Sequence, residues 1–339
     1  MAALRGYTCK AAPMIRRPGE PPPAPSLSDS PSTQRDAKPG AAEMPTPRMR
    51  KDVSKLDASD QTLQWYARAV HDMQQRPPGD STSWQYQAAV HGTLQNPSTF
   101  TQDQKQAWAQ CQHATWFFLP WHRVYLGIFE DIVSATVAKL GGPQDWALPY
   151  WNYSPPGARA LPPAFTAKQF AGLSGQNPLL VERDQGNDGK PFLDNKAVSL
   201  NCLKRANFAG HLAPGGDSGF GGPMRGPNHM GDSDQGQLEM VPHDMIHSDI
   251  GGLMGDPDTA AQDPIFWLHH ANIDRLWEVW RKMGNANPTD PKWLSATRFF
   301  FHDASGKPAT FTPQDVVDTV NGPWHYQYDN LANPLGNVH

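Results

Sequence analysis

The chain has 339 residues, room for one or two domains, with 38% apolar residues, 18% charged residues and a formal net charge of −4. So small an imbalance leaves no electrostatic footprint for nucleic acid or an anionic membrane, and the longest apolar run, residues 114–121, falls far short of the roughly 18 residues a membrane span needs. Three cysteines (Cys9, Cys111, Cys202) are too few and too scattered for a disulfide scaffold or a zinc ribbon, and no continuous hydrophobic leader opens the chain, so a soluble, cytoplasmic globular protein is expected.

Residues 1–48 hold ten prolines and no aromatic residue except Tyr7. Such a segment cannot bury enough apolar surface to offset its ordering entropy. It reads as a disordered arm or as a strap across a partner subunit, which leaves a homo-oligomer open. The globular part is expected over 49–330, with 331–339 as a short tail. Within 57–76, Leu63, Tyr66, Ala67, Val70 and Met73 form a helical stripe that Pro77, Pro78 and Gly79 stop. Ser83 can cap a second helix through Trp84, Ala88 and His91, with Gly92 as its C′ residue. A third helix is expected from Pro120 through Leu126 and Phe129 to Leu140.

Residues 205–236 contain nine glycines and little periodicity, the mark of a long irregular connection. A short fourth helix follows from Pro242 and ends before Gly251. The fifth is the most regular, with Asp263 as N-cap, Pro264 at its first position, and Phe266, Trp267, Ile273, Leu276, Trp277 and Trp280 along it. The fold class is therefore mainly α: a four-helix bundle with long irregular loops and few short strands.

Thirteen histidines punctuate these elements. His243 and His247 are four apart, so a helix projects both from one face. His91 ends the second helix, His122 lies in the first turn of the third, His270 lies on the fifth, and His113 sits on the loop before the third. A His-x-x-x-His pair alone is weak, and Asp244 stands where a zinc protease needs glutamate. The weight lies in the combination, two groups of three imidazoles set in Trp- and Phe-rich sequence.

Residues 112–123 (QHATWFFLPWHR) resemble the copper A signature of the tyrosinase and polyphenol oxidase family, and residues 263–277 (DPIFWLHHANIDRLW) resemble its copper B signature. Arg50 resembles the arginine that opens the family's catalytic domain, and Tyr326 and Tyr328 resemble the Tyr-x-Tyr motif that closes it. The resemblance covers residues 50–328. It implies two copper ions, one on His91, His113 and His122, the other on His243, His247 and His270, acting on O2 and small phenols. Imidazole suits copper, and three nitrogens per ion leave a position open for a ligand. The activity implied is o-hydroxylation of monophenols and oxidation of o-diphenols to o-quinones. A catechol oxidase, an o-aminophenol oxidase or a haemocyanin-like oxygen carrier are the alternatives. The short tail after Tyr328 offers no shielding domain.

Further roles follow from the same resemblance. Glu239 and Asp244 match two positions that hold a water for phenol deprotonation, although the family has asparagine where Asp244 stands. Cys111 matches the cysteine that forms a thioether to the histidine two residues on, here His113. Asp274 can accept from the distal N–H of a ligand imidazole; a surface pairing with Arg275 is the plainer account. Phe266, one turn before His270, should wall the copper pair, and His269 is expected to make outer contacts. Pro257 stands where plant members place a phenylalanine over copper, and Ser248 after His247 is small, which together suggest an open pocket.

Overall fold

Short polar side chains start some of the helices in this chain. The computed structural model describes residues 46–57, 59–211, 217–229 and 234–336; all but the last three residues of the proline-rich arm lie outside them. The framework is α1 (Thr62–Gln74), α2 (Trp84–His91), α3 (Gln102–Ala107), α4 (Phe118–Lys139), α5 (Met245–Ile250) and α6 (Ile265–Lys282), followed by the single turns α7 (Pro291–Leu294) and α8 (Pro313–Val316). Ser83 caps α2 by accepting from the Tyr86 N–H at 3.1 Å. Thr101 and Gln104 form a reciprocal capping box on α3. Asp263 accepts from the Ile265 N–H at 3.0 Å to start α6, while Arg183 grips the same carboxylate at 2.6 and 2.7 Å.

Three boundaries depart from expectation. The long helix α4 begins two residues before Pro120, which still falls in its first turn, where a missing N–H costs nothing. The fourth helix does not start at Pro242: a kinked turn, Glu239–Asp244, precedes α5 and is broken at Val241 (φ −146°, ψ 120°). Gly92 ends α2 in an extended conformation, φ −165°, rather than a left-handed one. Its lack of a side chain serves close approach instead, since a Cβ there would meet the Pro257 carbonyl oxygen at 2.7 Å and the Asp258 Cα at 2.8 Å.

The strands are short: β1 (Arg48–Arg50), β2 (Ala209–Gly210), β3 (Gly222–Pro223), β4 (Phe299–His302), β5 (Pro308–Phe311) and β6 (Tyr326–Tyr328). They pair as parallel β1–β6, parallel β2–β3 and antiparallel β4–β5. The first pair fastens the two ends of the described domain, with Arg50 opposite Tyr328. At the centre, α4 packs on α1 and α6. Both α4 and α6 are buried round most of their circumference, as befits helices inside a large aromatic core. Phe129 of α4 stacks on Trp267 of α6 with centroids 3.4 Å apart, and Trp84 of α2 meets both edge-on. A polar tie joins three further elements: the Tyr86 hydroxyl donates to His302 Nδ1 at 3.0 Å, and His302 Nε2 donates to Asp103 at 3.1 Å.

Asp274 lies inside this framework, not beside an imidazole. Its carboxylate takes Arg123 at 2.6 Å, Arg50 at 3.3 Å, and the hydroxyls of Tyr326 and Tyr328 at 2.6 and 2.5 Å. Glu130 completes the cluster through Arg50 at 2.6 Å. Burial alone would raise the Asp274 carboxyl; the two guanidinium groups and the two hydroxyls outweigh it and hold the group below the ordinary carboxylate value. The expectation that Asp274 orients a ligand imidazole is therefore corrected, and so is a pairing with Arg275, which bonds Asn272 instead. Its four partners come from β1, α4 and β6, three of them on Oδ2 and Arg123 on Oδ1, so both oxygens are engaged.

Candidate metal centre

Six imidazoles converge where α2, α4, α5 and α6 meet. His91 is the last residue of α2 and His122 lies in the second turn of α4. His113 enters from the loop before α4, His243 from the kinked turn, His247 from α5 and His270 from the middle of α6. Within the first trio the ring centroids of His91, His113 and His122 are 5.3, 5.4 and 5.5 Å apart. Within the second, His243, His247 and His270 are separated by 4.6, 4.8 and 5.4 Å. The trios abut, His122 stacking on His270 at 4.6 Å. By donor atoms His270 is shared, since its nitrogen falls within 4.8 Å of those of His91 and His122 as well as those of its own group.

The outer nitrogens decide how the rings present themselves. His91 Nδ1 donates to the Pro257 carbonyl at 2.8 Å, His122 Nδ1 to the Phe118 carbonyl at 2.8 Å, and His247 Nδ1 to the Met254 carbonyl at 2.8 Å. His113 Nδ1 donates to the His229 carbonyl at 3.2 Å, and His243 Nδ1 to Asp244 at 2.7 Å. A carbonyl oxygen can only accept, so each tethered Nδ1 carries the proton and each Nε2 keeps a bare lone pair. Of the six, His270 has no such tether: its Nδ1 is buried without a hydrogen-bond partner among the described residues. His270 Nε2 lies 3.3 Å from His243 Nε2 and 3.2 Å from His247 Nε2, and the buried Nε2 atoms of His91 and His122 have no partner. Donors about 2.0 Å from one tetrahedral ion would be roughly 3.3 Å from each other.

Burial disfavours the charged imidazoles. It lowers His91, His122 and His270 well below the ordinary value, takes His113 to about 4 and His247 to about 3, and neighbouring histidines add to the effect. Neutral imidazole is the ligand form.

Around this centre the remaining expected residues fall close by. Phe266 walls it, 4.0 Å from the His270 ring and 5.0 Å from that of His91. Glu239 Oε1 accepts from the Ala114 N–H at 2.8 Å. Ala114 holds a left-handed φ of 52°, a conformation costly for alanine, so this bond fixes the bend that turns His113 inward. Burial pushes the Glu239 carboxyl well above its usual range, and Oε2 has no hydrogen-bond partner among the described residues. Asp244 is engaged on both oxygens, by His243 and by Gln235 Nε2 at 2.6 Å. Burial would raise its carboxyl; those two bonds outweigh it and keep the group low. Cys111 Sγ sits 3.3 Å from His113 Nδ1.

His269 is fully buried, not superficial, and stacks on His243 at 5.4 Å. Two residues carry no sequence signal yet sit in the site: His229, whose Nδ1 is 3.1 Å from Cys111 Sγ, and Gln235. Both come from the glycine-rich connection, where no periodicity marks a position. A pocket of about 200 Å³ opens over four of the six imidazoles and is lined further by Asp244, Gln235, Ser248, Met254 and Pro257. A larger cavity of about 570 Å³, beside Trp65 and Trp146, contains none of these groups.

Comparison with known proteins fits this geometry. Residues 81–283 match the family model for the common central domain of tyrosinase, and residues 287–338 match that for the polyphenol oxidase middle domain. The chain belongs to the tyrosinase family. Family membership implies a type-3 dinuclear copper centre, and the donor set suits one: imidazole nitrogens gathered within 4.8 Å of one another in a buried centre. Tyrosinase HcTyr1 of Hahella sp. (strain CCB-MM4) is 43% identical over 297 residues, covering 80% of this chain and 61% of that protein. Aureusidin synthase of Antirrhinum majus is 30% identical over 317 residues, covering 84% of this chain and 53% of that one. This tyrosinase-family chain thus spans about half to three-fifths of the length of these relatives. Among solved structures, recombinantly expressed latent aurone synthase (polyphenol oxidase) superposes with a TM-score of 0.65 at 22% identity, over 86% of this chain and 60% of that one, and shares its fold. Among the described residues, no helix is long and apolar enough to cross a membrane.

Proposed function

We propose that this tyrosinase-family chain is a dicopper phenol oxidase that uses O2 to hydroxylate monophenols and to oxidise o-diphenols to o-quinones. His91, His113 and His122 hold one copper and His243, His247 and His270 the other. The observation that carries the reading is the convergence of six imidazoles on one buried centre: the Nε2 atoms of His91 and His122 have no partner among the described residues, and those of His243 and His247 lie 3.3 and 3.2 Å from His270 Nε2, the spacing of donors around one ion. Copper bound there supplies the electrons that reduce O2 and the positive charge that attracts a phenolate oxygen.

The chain's own groups do the rest. Backbone carbonyls at Pro257, Phe118 and Met254, with the Asp244 carboxylate, hold the rings at fixed angles. Phe266 closes the floor beneath the pair and keeps bulk water out. Glu239 Oε2, buried with no hydrogen-bond partner among the described residues, is the carboxyl oxygen open to a water that takes the phenol proton, whereas each oxygen of Asp244 already accepts one bond. An ordinary phenol has a pKa near 10, so a monophenol needs such a base more than a catechol does. The engagement of Asp244 favours a second reading, a catechol oxidase with little monophenol activity.

Oxygen uptake by copper-loaded protein, with tyrosine and with a catechol in parallel, separates these. Uptake with both supports the first reading and uptake with catechol alone the second. Reversible O2 binding with no turnover of either would leave an oxygen carrier, and the oxidase reading would be lost. The 3.3 Å approach of Cys111 Sγ to His113 Nδ1 supports a thioether to the His113 ring carbon, with the two hydrogens and two electrons lost passing to O2. Intact-protein mass is then lower by two hydrogens after copper and O2 exposure, and thiol reductants do not restore it. An unchanged mass removes the cross-link.

A further inference from the structure

Charge is distributed very unevenly about the pocket. From residue 226 to residue 274 the sequence contains nine Asp or Glu and no Lys or Arg, although the whole chain has 29 basic and 33 acidic residues. This segment supplies the His243, His247 and His270 side of the centre and the loop over His91. Some of its acids are neutralised inside the fold: Asp263 by Arg183, Asp274 by Arg123 and Arg50. Asp234 is paired with Arg225 at 3.8 Å.

Among the described residues, no Lys or Arg is paired with Asp244, Asp256 or Asp258. Asp244 lines the pocket and accepts from His243 and the Gln235 amide. Asp256 and Asp258 flank Pro257, a lining residue whose carbonyl accepts from His91 Nδ1. Asp258 Oδ1 lies over the end of α2, 2.8 Å from where a Cβ on Gly92 would stand, and close enough to Cys111 to act on it electrostatically. Among the described residues the pocket lining includes no Lys or Arg. What marks this pocket as a ligand site is independent of these charges: the buried, unpartnered Nε2 of His91 beneath it.

We propose that the mouth selects phenols by the charge of the ring substituent, admitting aryl-alkylamines in their ammonium form ahead of neutral phenols and excluding phenolic carboxylates. The proposal rests on the phenol-oxidase reading. With the phenolic oxygen at the imidazole centre, a short alkyl tail emerges between Asp244 and the Asp256–Asp258 loop, where an ammonium group meets carboxylates and a carboxylate meets its own sign. The interaction crosses several ångströms of partly hydrated space, so it acts through KM and is weakened by salt.

The test compares three catechols on the copper-loaded enzyme: dopamine, 4-methylcatechol and 3,4-dihydroxyphenylpropionate. We expect kcat/KM to fall in that order, by roughly fivefold at each step and mainly through KM, and the spread to collapse in about 1 M salt, where the screening length is about 3 Å. The double variant Asp256→Asn, Asp258→Asn should lose most of the preference for dopamine and leave 4-methylcatechol turnover unchanged. Equal or better use of the carboxylate by the unmodified enzyme overturns the proposal, as does a dopamine preference that survives both substitutions. If 4-methylcatechol is not oxidised at all, the phenol-oxidase reading has failed. The charge preference is then read from calorimetric binding of phenethylamine against 3-phenylpropionate. Tighter binding of the amine retains the preference, and equal binding ends it.

Discussion

Asp274 and His270 lie one turn apart on α6, yet the buried groups around them obey opposite rules. Asp274 meets two guanidinium groups and two tyrosine hydroxyls, and both of its oxygens are engaged. His270 meets other imidazoles nitrogen to nitrogen, its own Nδ1 has no partner among the described residues, and the Nε2 atoms of His91 and His122 beside it have none either. Both clusters are buried by the same helices, so burial does not tell them apart. Satisfaction does. A polar cluster that closes on itself holds the fold, and one that leaves buried nitrogens without partners is completed by something from outside.

The sharpest way to break this contrast is to remove one inward nitrogen. His122→Ala should reduce copper from two ions per chain to about one and bring oxygen uptake with catechol to background, while the chain stays folded by circular dichroism. Full copper content in that variant would dissolve the proposed centre. The matching change in the closed cluster is Asp274→Asn, which leaves Arg50 and Arg123 facing a neutral group. We expect a loss of about 3–5 kcal/mol in denaturant unfolding, the usual cost of breaking a buried pair, with copper per folded chain unaltered. Loss of copper without loss of stability would show that the clusters had been assigned the wrong way round.

Acid separates the same two clusters in the metal-free protein. His113 and His247 have folded values of about 4 and about 3, below the ordinary histidine value. Between those limits the unfolded chain binds protons that the folded chain does not, so stability falls as pH drops from about 6.5, by up to about 1.4 kcal/mol per pH unit for each such histidine. The Asp274 carboxyl is lowered, so its contribution is intact above the ordinary carboxylate range and is lost only as pH falls through its still lower folded value. Denaturant midpoints should therefore decline in two stages, the imidazoles first. A midpoint that stays flat from pH 6.5 to 4 would contradict the buried, neutral state of the rings.

What could be read in advance follows the reach of each interaction. The histidines were legible because helix spacing and two long signature runs lie within a few residues of one another, and Ser83 and Asp263 because caps act over two or three residues. Asp274 was misplaced because its partners stand as far off as Arg50, 224 residues away in sequence. Gly92 was read as a helix terminator although its glycine answers to the Pro257 loop, 165 residues on. His229 and Gln235 come from a glycine-rich connection with no period to betray them. Local rules found the histidines that converge and missed much of what surrounds them.

The smallest expected effect lies where the two kinds of cluster meet, at Asp244. It is a charged group, fully engaged like Asp274, yet it is bonded to a member of the open cluster. In Asp244→Asn the amide oxygen can still accept from His243 Nδ1. Its NH2 would then face the Gln235 NH2, and a flip of the Gln235 amide turns that clash into a hydrogen bond. The His243 tether becomes neutral, weakening by about 1 kcal/mol, and copper affinity on that side should fall within tenfold or so. The ring keeps its orientation, so catechol turnover at saturating copper should change little. The ratio of monophenol to diphenol rates should move several-fold, because the negative charge opposite Glu239 is gone and the Glu239 carboxyl ionises more readily. Measuring that ratio in both proteins at matched copper content decides the point: an unchanged ratio would confine Asp244 to holding His243 and take it out of proton transfer.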